Sequence, residues 1–171
     1  MEAGTVPPFR ELIATATTSA IHLESRDVYT PSDSLYQDWL TGRPVPAPAL
    51  PEWRKLVSFH TARGVRFRRA RIVSEPLSDY IRYEHYITDE SNVAAGEEIR
   101  WLPRKRAGGL LVPANDFWVL DGRLVRFGYF AGNGEFVEHE LTDAPEIASA
   151  CSEAFERVWE IATPHADYRP A

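Results

Sequence analysis

The sequence predicts an α/β fold on a mixed sheet: a strand-helix-strand unit, then antiparallel hairpins, then a C-terminal helix, with a mostly helical N-terminal extension in front. Three observations predict it. "VRFRRARIVSEP" is rich in Val, Ile and Phe, and gives way to "LSDYIRYEHYITDE" with apolar residues at helical spacing and then to the short extended "EEIRWLP". "DFWVL" and "RLVRFGYF" flank Asp121-Gly122, a strong hairpin signal. "TDAPEIASACSEAFERVWEIATP" places Ile147, Ala150, Cys151, Ala154, Phe155, Val158, Ile161 and Ala162 on one stripe, the mark of a helix covering a sheet.

Taken in order, residues 1–62 form the extension. A helix is expected from Phe9, an extended stretch at "AIHLES", and a helix from Asp33 to Leu40 stopped by "TGRP". The proline-rich "RPVPAPALPEW" reads as a linker. "PEWRKLVSFHTARG" has Pro51 at a good first-turn position, Trp53, Leu56, Val57 and His60 at helical spacing, and Gly64 as a stop. Residues 63–171 form the expected α/β sandwich domain. Its first two strands should be a parallel pair joined by a right-handed crossover, with "NVAAG" as the return turn. The hairpin then leads through Gly132-Asn133-Gly134 to "EFVEHEL". In the last helix Asp143 is expected to cap, with Pro145 in the first turn and Glu146 completing a capping box.

Composition sets the class. At 171 residues, 44% hydrophobic and 26% charged, the chain suits one globular domain with an extension. A single cysteine, Cys151, rules out an internal disulfide and a Cys-rich zinc site, and points to a reducing compartment. The first 20 residues lack a basic segment followed by a sustained apolar one, and no run approaches a membrane span, so a cytoplasmic protein with no membrane partner is expected. A net charge of −6 argues against direct nucleic-acid binding, although Arg63, Arg66, Arg68, Arg69 and Arg71 form a local basic cluster. Alternation sends Arg66 and Arg68 to one face and Arg69 and Arg71 to the other, so the cluster is not one stripe. No cofactor or metal motif is present.

The order of strand, helix, "NVAAGEEIRWLP", "DFWVLDG" hairpin, strand and closing helix over residues 65–163 resembles one half of a phospholipase-D-like sandwich. That superfamily places H-x-K-x-x-x-x-D before such a turn. Counting back from Asp121, the His position is Ala114 and the Lys position is Asp116, so nucleophile and phosphate-binding cation are both missing. The resemblance therefore implies a version of the fold without the enzyme's chemistry, as in sensor domains of some transcription regulators. "RIVSEPLSDYIRYE", "NVAAGEEIRWLPR" and "DFWVLDGRLV" also resemble an actinomycete family of unknown function often encoded beside helix-turn-helix regulators. That resemblance implies such a regulator as partner, and because the phospholipase-D-like site forms between two halves while this chain supplies one, a second copy in a homodimer is the other partner expected.

The candidate site residues are Arg71, Tyr80, Glu84, Arg100, Asp116 and Trp118. Glu84 falls on a helical face with Leu77, Ile81 and Thr88, beside Tyr80 and Ile87, where a carboxylate requires a partner. It is a structural ion pair with Arg71 or Arg100, or a functional anion with a raised pKa. If the pair is buried, removing Glu84 would cost about 3 to 5 kcal/mol by stranding the guanidinium. Asp116 and Trp118 together would suit a cationic or hydrogen-bonding ligand. His85 and His139 lie near carboxylates without metal-ligand spacing. Cys151 reads as a buried small residue.

Two functions follow. One is a catalytically silent regulatory or sensor domain binding a protein partner or a small ligand; lacking a helix-turn-helix of its own, it would act through another protein. The other is an enzyme, such as a nuclease or toxin-like partner, using Glu84, His85, Asp116 and nearby arginines. Convergence of those polar groups in one pocket favours the enzyme, and an exposed apolar patch favours the sensor.

Overall fold

A computed structural model of the chain describes residues 6–170. Its centre is a seven-stranded mixed sheet. The strands are β1 (Ser19–Glu24), β2 (Arg66–Val73), β3 (Glu98–Pro103), β4 (Asp116–Leu120), β5 (Leu124–Phe130), β6 (Phe136–Thr142) and β7 (Thr163–Pro164), in the order β6-β5-β4-β1-β2-β3-β7. β1, β2 and β3 run parallel to one another, and every other pairing is antiparallel. The expected parallel pair is β2 and β3, joined through α4 (Asp79–Ser91). Ser78 caps that helix, its hydroxyl accepting from the Ile81 amide.

The boundary expected between residues 62 and 63 does not divide this sheet. "AIHLES" is β1, and β1 lies mid-sheet between β4 and β2. The period-two signal was readable, but pairing across more than 40 residues, Glu24 with Arg71, is not a local property.

Alternation gives the sheet two unlike faces. Ile21, Leu23, Ala70, Ile72, Leu102, Phe117 and Val119 point back onto α5 (Pro145–Ile161), where Cys151, Phe155, Val158 and Trp159 complete an apolar core. The expected cap of α5 differs: Ala144 occupies that position, with no side-chain bond, one residue later than Asp143.

The front face meets four helices and is apolar only at its two ends. Around one end Phe67, Trp118 and Leu120 pack with α1 (Phe9–Thr15) and α3 (Pro51–Ala62). Around the other Val73, Ile99 and Trp101 pack with α4, together with Tyr36 from α2 (Ser34–Leu40). Between these two apolar clusters runs a seam of buried charge, from Glu24, Arg69 and Arg71 to Asp116.

The hairpin turn forms as expected, with both Asp121 (φ 51°) and Gly122 (φ 65°) left-handed, as a tight two-residue turn requires. Asp121 does more than turn the chain. Its carboxylate accepts from the amides and hydroxyls of Thr17 and Thr18 and from the Ser19 amide, at 2.8–3.0 Å, tying the hairpin to the start of β1.

Candidate functional site

The front-face seam is assembled from residues two apart on neighbouring strands. β2 presents Arg69 and Arg71, and β1 presents His22 and Glu24 beside them, with Glu24 in register with Arg71. Arg69 Nη1 and Arg71 Nε each donate to one oxygen of Glu24 at 2.6 Å. Arg69 Nε donates to Glu97 at 2.8 Å, and Arg71 Nη2 lies 3.0 Å from Glu84 Oε2. The result is an alternating row, Glu97, Arg69, Glu24, Arg71, Glu84, with three carboxylates to two guanidiniums. Aromatic faces hold the cations: Arg69 lies 5.4 Å from the Trp53 ring and 5.5 Å from that of Trp118, and Arg71 lies 4.9 Å from Trp101.

The two ends of the row differ. Glu97 is closed off, its other oxygen accepting from Asn92 at 2.6 Å and the Trp53 indole at 3.1 Å. Glu84 is not. Its Oε2 is within ion-pair distance of Arg71 but makes no aligned hydrogen bond, because that guanidinium is already turned to Glu24 and Thr88. Burial raises the Glu84 carboxyl to about 7, with Arg71 pulling down and Glu24 pushing up. Burial would raise Glu24 too, but Arg69 and Arg71 reverse it and hold that carboxyl well below the ordinary range.

Glu84 opens onto a cleft of 280 Å³ between α3, α4 and the sheet, lined also by His22, Trp53, Arg69, Arg71, Asn92 and Trp118. Asn92 is 2% exposed, yet its Oδ1 has no partner after its amide group is given to Glu97. His22 Nδ1 is likewise unpartnered by hydrogen bonding, and burial drives that imidazole towards its neutral form. Glu84, Asn92 and His22, each with a buried polar atom outside the hydrogen-bond network, thus line one cleft.

Asp116 and Trp118 stand together on the front face of β4, as alternation requires. Trp118 stacks on His22 at 4.1 Å. Asp116 belongs to an adjoining pocket of 120 Å³, where Ser25 and the Tyr29 hydroxyl donate to it and burial raises its carboxyl to about 6.

Of the sequence-derived candidates, Arg71, Glu84, Asp116 and Trp118 are thus brought to one face. Tyr80 lies alongside, its hydroxyl 3.4 Å from Glu84 Oε1. Arg100 is elsewhere: it points to the back of the sheet, bonding the Trp159 carbonyl and lying over the Trp159 ring, so Arg71 alone of the two arginines meets Glu84. His85 also turns away, towards His165 and Trp101. Arg66 and Arg68 pair with Glu98 and Glu156. Sequence reasoning missed His22, Glu24, Trp53, Asn92 and Glu97. Polar residues at alternate positions of an otherwise apolar strand, His22 and Glu24 in "AIHLE", were the available signal. Among the described residues no group of His, Cys, Asp and Glu could hold a metal, and no helix is long and apolar enough to cross a membrane.

A family model described as a domain of unknown function, DUF6879, matches residues 7–170. The chain belongs to the DUF6879 family. No curated protein matches it. Among solved structures this DUF6879 chain is similar to TrmBL2, an archaeal chromatin protein reported to show a novel mode of DNA binding, at 14% identity and a TM-score of 0.46 over 91% of this chain and 48% of that one. The chain therefore spans about half the length of that protein. The expectation against direct nucleic-acid binding does not stand beside this match, since the matched protein binds DNA. Net charge describes the whole surface and cannot exclude a local contact.

Proposed function

We propose that this chain is a catalytically silent receptor domain that binds a small amine-bearing ligand in the front-face cleft and acts through a helix-turn-helix regulator. The observation behind this reading is that Glu84, Asn92 and His22 line one cleft, Asn92 Oδ1 without a partner and Glu84 Oε2 and His22 Nδ1 held only by ion-pair contacts to Arg71 and Glu24. The unpaired buried Asn92 Oδ1 costs about 1–3 kcal/mol, so a ligand that supplies a donor recovers stability the free chain lacks. Carboxylate and amide oxygens select a ligand that donates hydrogen bonds. The volume suits a metabolite-sized molecule. The lost His and Lys at Ala114 and Asp116 fit a silent, phospholipase-D-like half sandwich. Titration calorimetry with octylamine and agmatine tests the reading. Saturable binding that weakens at least tenfold in Glu84→Gln is expected, and absence of binding by both amines would overturn it.

A second reading, an enzyme, is favoured by one observation: Glu84 at about 7 and Asp116 at about 6 stand near Glu24, which stays ionised. Carboxyls pushed apart in this way can divide acid and base roles. Convergence is partial, however, because His85 is absent from the site and both arginines are committed to carboxylates.

A further inference from the structure

The pocket beside the amine cleft contains a guanidinium that the receptor reading does not use. Arg126, on β5, is half-buried, its Nε has no hydrogen-bond partner, and no carboxylate lies within ion-pair distance of it among the described residues. Burial lowers its pKa, with no anion acting to restore it. The contrast with Arg69 and Arg71, each held by two carboxylates, is plain.

The acidic groups sharing this pocket are already engaged. Glu24 gives both oxygens to Arg69 and Arg71, and Asp116 gives its oxygens to Ser25 and Tyr29. His22 and His139 line the same wall, and burial favours the neutral form of both; His139 Nδ1 meets the Phe127 carbonyl at 3.3 Å, so the guanidinium is the cation of this pocket. Gly128 keeps the space open: a Cβ there would meet the Phe130 ring at 3.3 Å and His139 Nδ1 at 3.8 Å. In 120 Å³ a small planar anion fits better than a phosphate ester, and a carboxylate matches the guanidinium fork.

We propose that the Arg126 pocket is a carboxylate subsite, and that with the Glu84–Asn92 cleft it forms one bipolar site for a small molecule bearing an amine at one end and a carboxylate at the other. This rests on the reading of the cleft as an amine receptor. The two cavities adjoin, with the stacked pair His22 and Trp118 in the lining of both. Arg126 stands on β5 and Arg71, the partner of Glu84, on β2, with β4 and β1 between them. Three strand spacings make about 14 Å between backbones, less the reach of the side chains. A free α-amino acid is too short; a chain of roughly six to ten atoms between the charges bridges the two.

Calorimetry on the full chain with 8-aminooctanoate, 8-aminooctanamide and octylamine tests this. In the parent protein the amino acid should bind about tenfold or more tighter than the amide or the plain amine, the worth of one charge-assisted fork. In Arg126→Met, and independently in Gly128→Ala, that preference should fall to about one while octylamine affinity is kept; the second variant decides if the first does not fold. Octylamine binding with no gain from the carboxylate would overturn the bipolar site and leave the amine receptor standing. A gain that survives both variants would place the anion elsewhere and overturn it too. Failure of every probe to bind would remove both readings.

Discussion

Glu24 and Arg71 face each other in register across β1 and β2, and the Arg71 Nε donates to Glu24 Oε2 at 2.6 Å. Because Arg69 donates at 2.6 Å to the other oxygen, one carboxylate on a central strand bridges two buried guanidiniums.

Glu24→Ala should therefore be among the most damaging single changes in the chain. It removes the carboxylate that both buried guanidiniums share, leaving Arg69 only Glu97 and Arg71 only Glu84, at a cost of about 3 to 5 kcal/mol. Urea unfolding monitored by tryptophan fluorescence measures it, and a variant as stable as the parent would contradict the row of charges.

Glu84→Ala should cost less than the 3 to 5 kcal/mol expected from an isolated buried pair. Arg71 keeps Glu24 and Thr88 when Glu84 is removed. About 1 to 2 kcal/mol is expected from the same unfolding measurement.

The pH dependence of stability should have a falling component near neutrality. The Glu84 carboxyl rises from 4.5 to about 7 on folding, and that of Asp116 from 3.8 to about 6. Between those values the folded chain binds more protons than the unfolded one, so this contribution is fully present in acid and is lost as pH rises through 6 to 7. Glu84→Gln mimics the protonated form, so its melting temperature relative to the parent should climb between pH 5 and pH 8, a range of about three units. A constant difference over that range would show that Glu84 titrates normally.

Asp121 has the opposite sign. Burial works against its carboxylate, but amide and hydroxyl donors from Ser19, Thr18 and Thr17 hold its pKa well below the ordinary range. Its contribution is therefore present above the ordinary carboxyl range and disappears as pH falls through the folded value. Asp121→Asn, which keeps a residue tolerant of the left-handed turn, should cost about 2 kcal/mol at neutral pH and progressively less in strong acid. Denaturation series at several pH values would read this out.

Phospholipase-D-type hydrolysis should be absent. Ala114 has no nucleophilic group, and Asp116 is an anion bound to Ser25 and Tyr29 where a phosphate-binding lysine would stand. Sustained turnover of bis(p-nitrophenyl) phosphate by repurified protein would refute this.

The sequence by itself determined the local elements. Periodicity marked α4 and α5, Asp121-Gly122 marked the hairpin between β4 and β5, and alternation separated Arg66 and Arg68 from Arg69 and Arg71. It also singled out Glu84, because a carboxylate on an apolar helical face is costly wherever the helix lies. Tertiary structure alone decided which arginine meets it, since Arg71 and Arg100 sit on adjacent strands and differ in the face they present. It also decided that "AIHLES" enters the sheet between β2 and β4, which brings Glu24 and His22 into the seam. Hydrogen-bond partners more than 40 residues apart, such as Glu24 with Arg69 and Trp53 with Glu97, leave no periodic trace, because spacing encodes which face a residue takes and not which strand lies beside it.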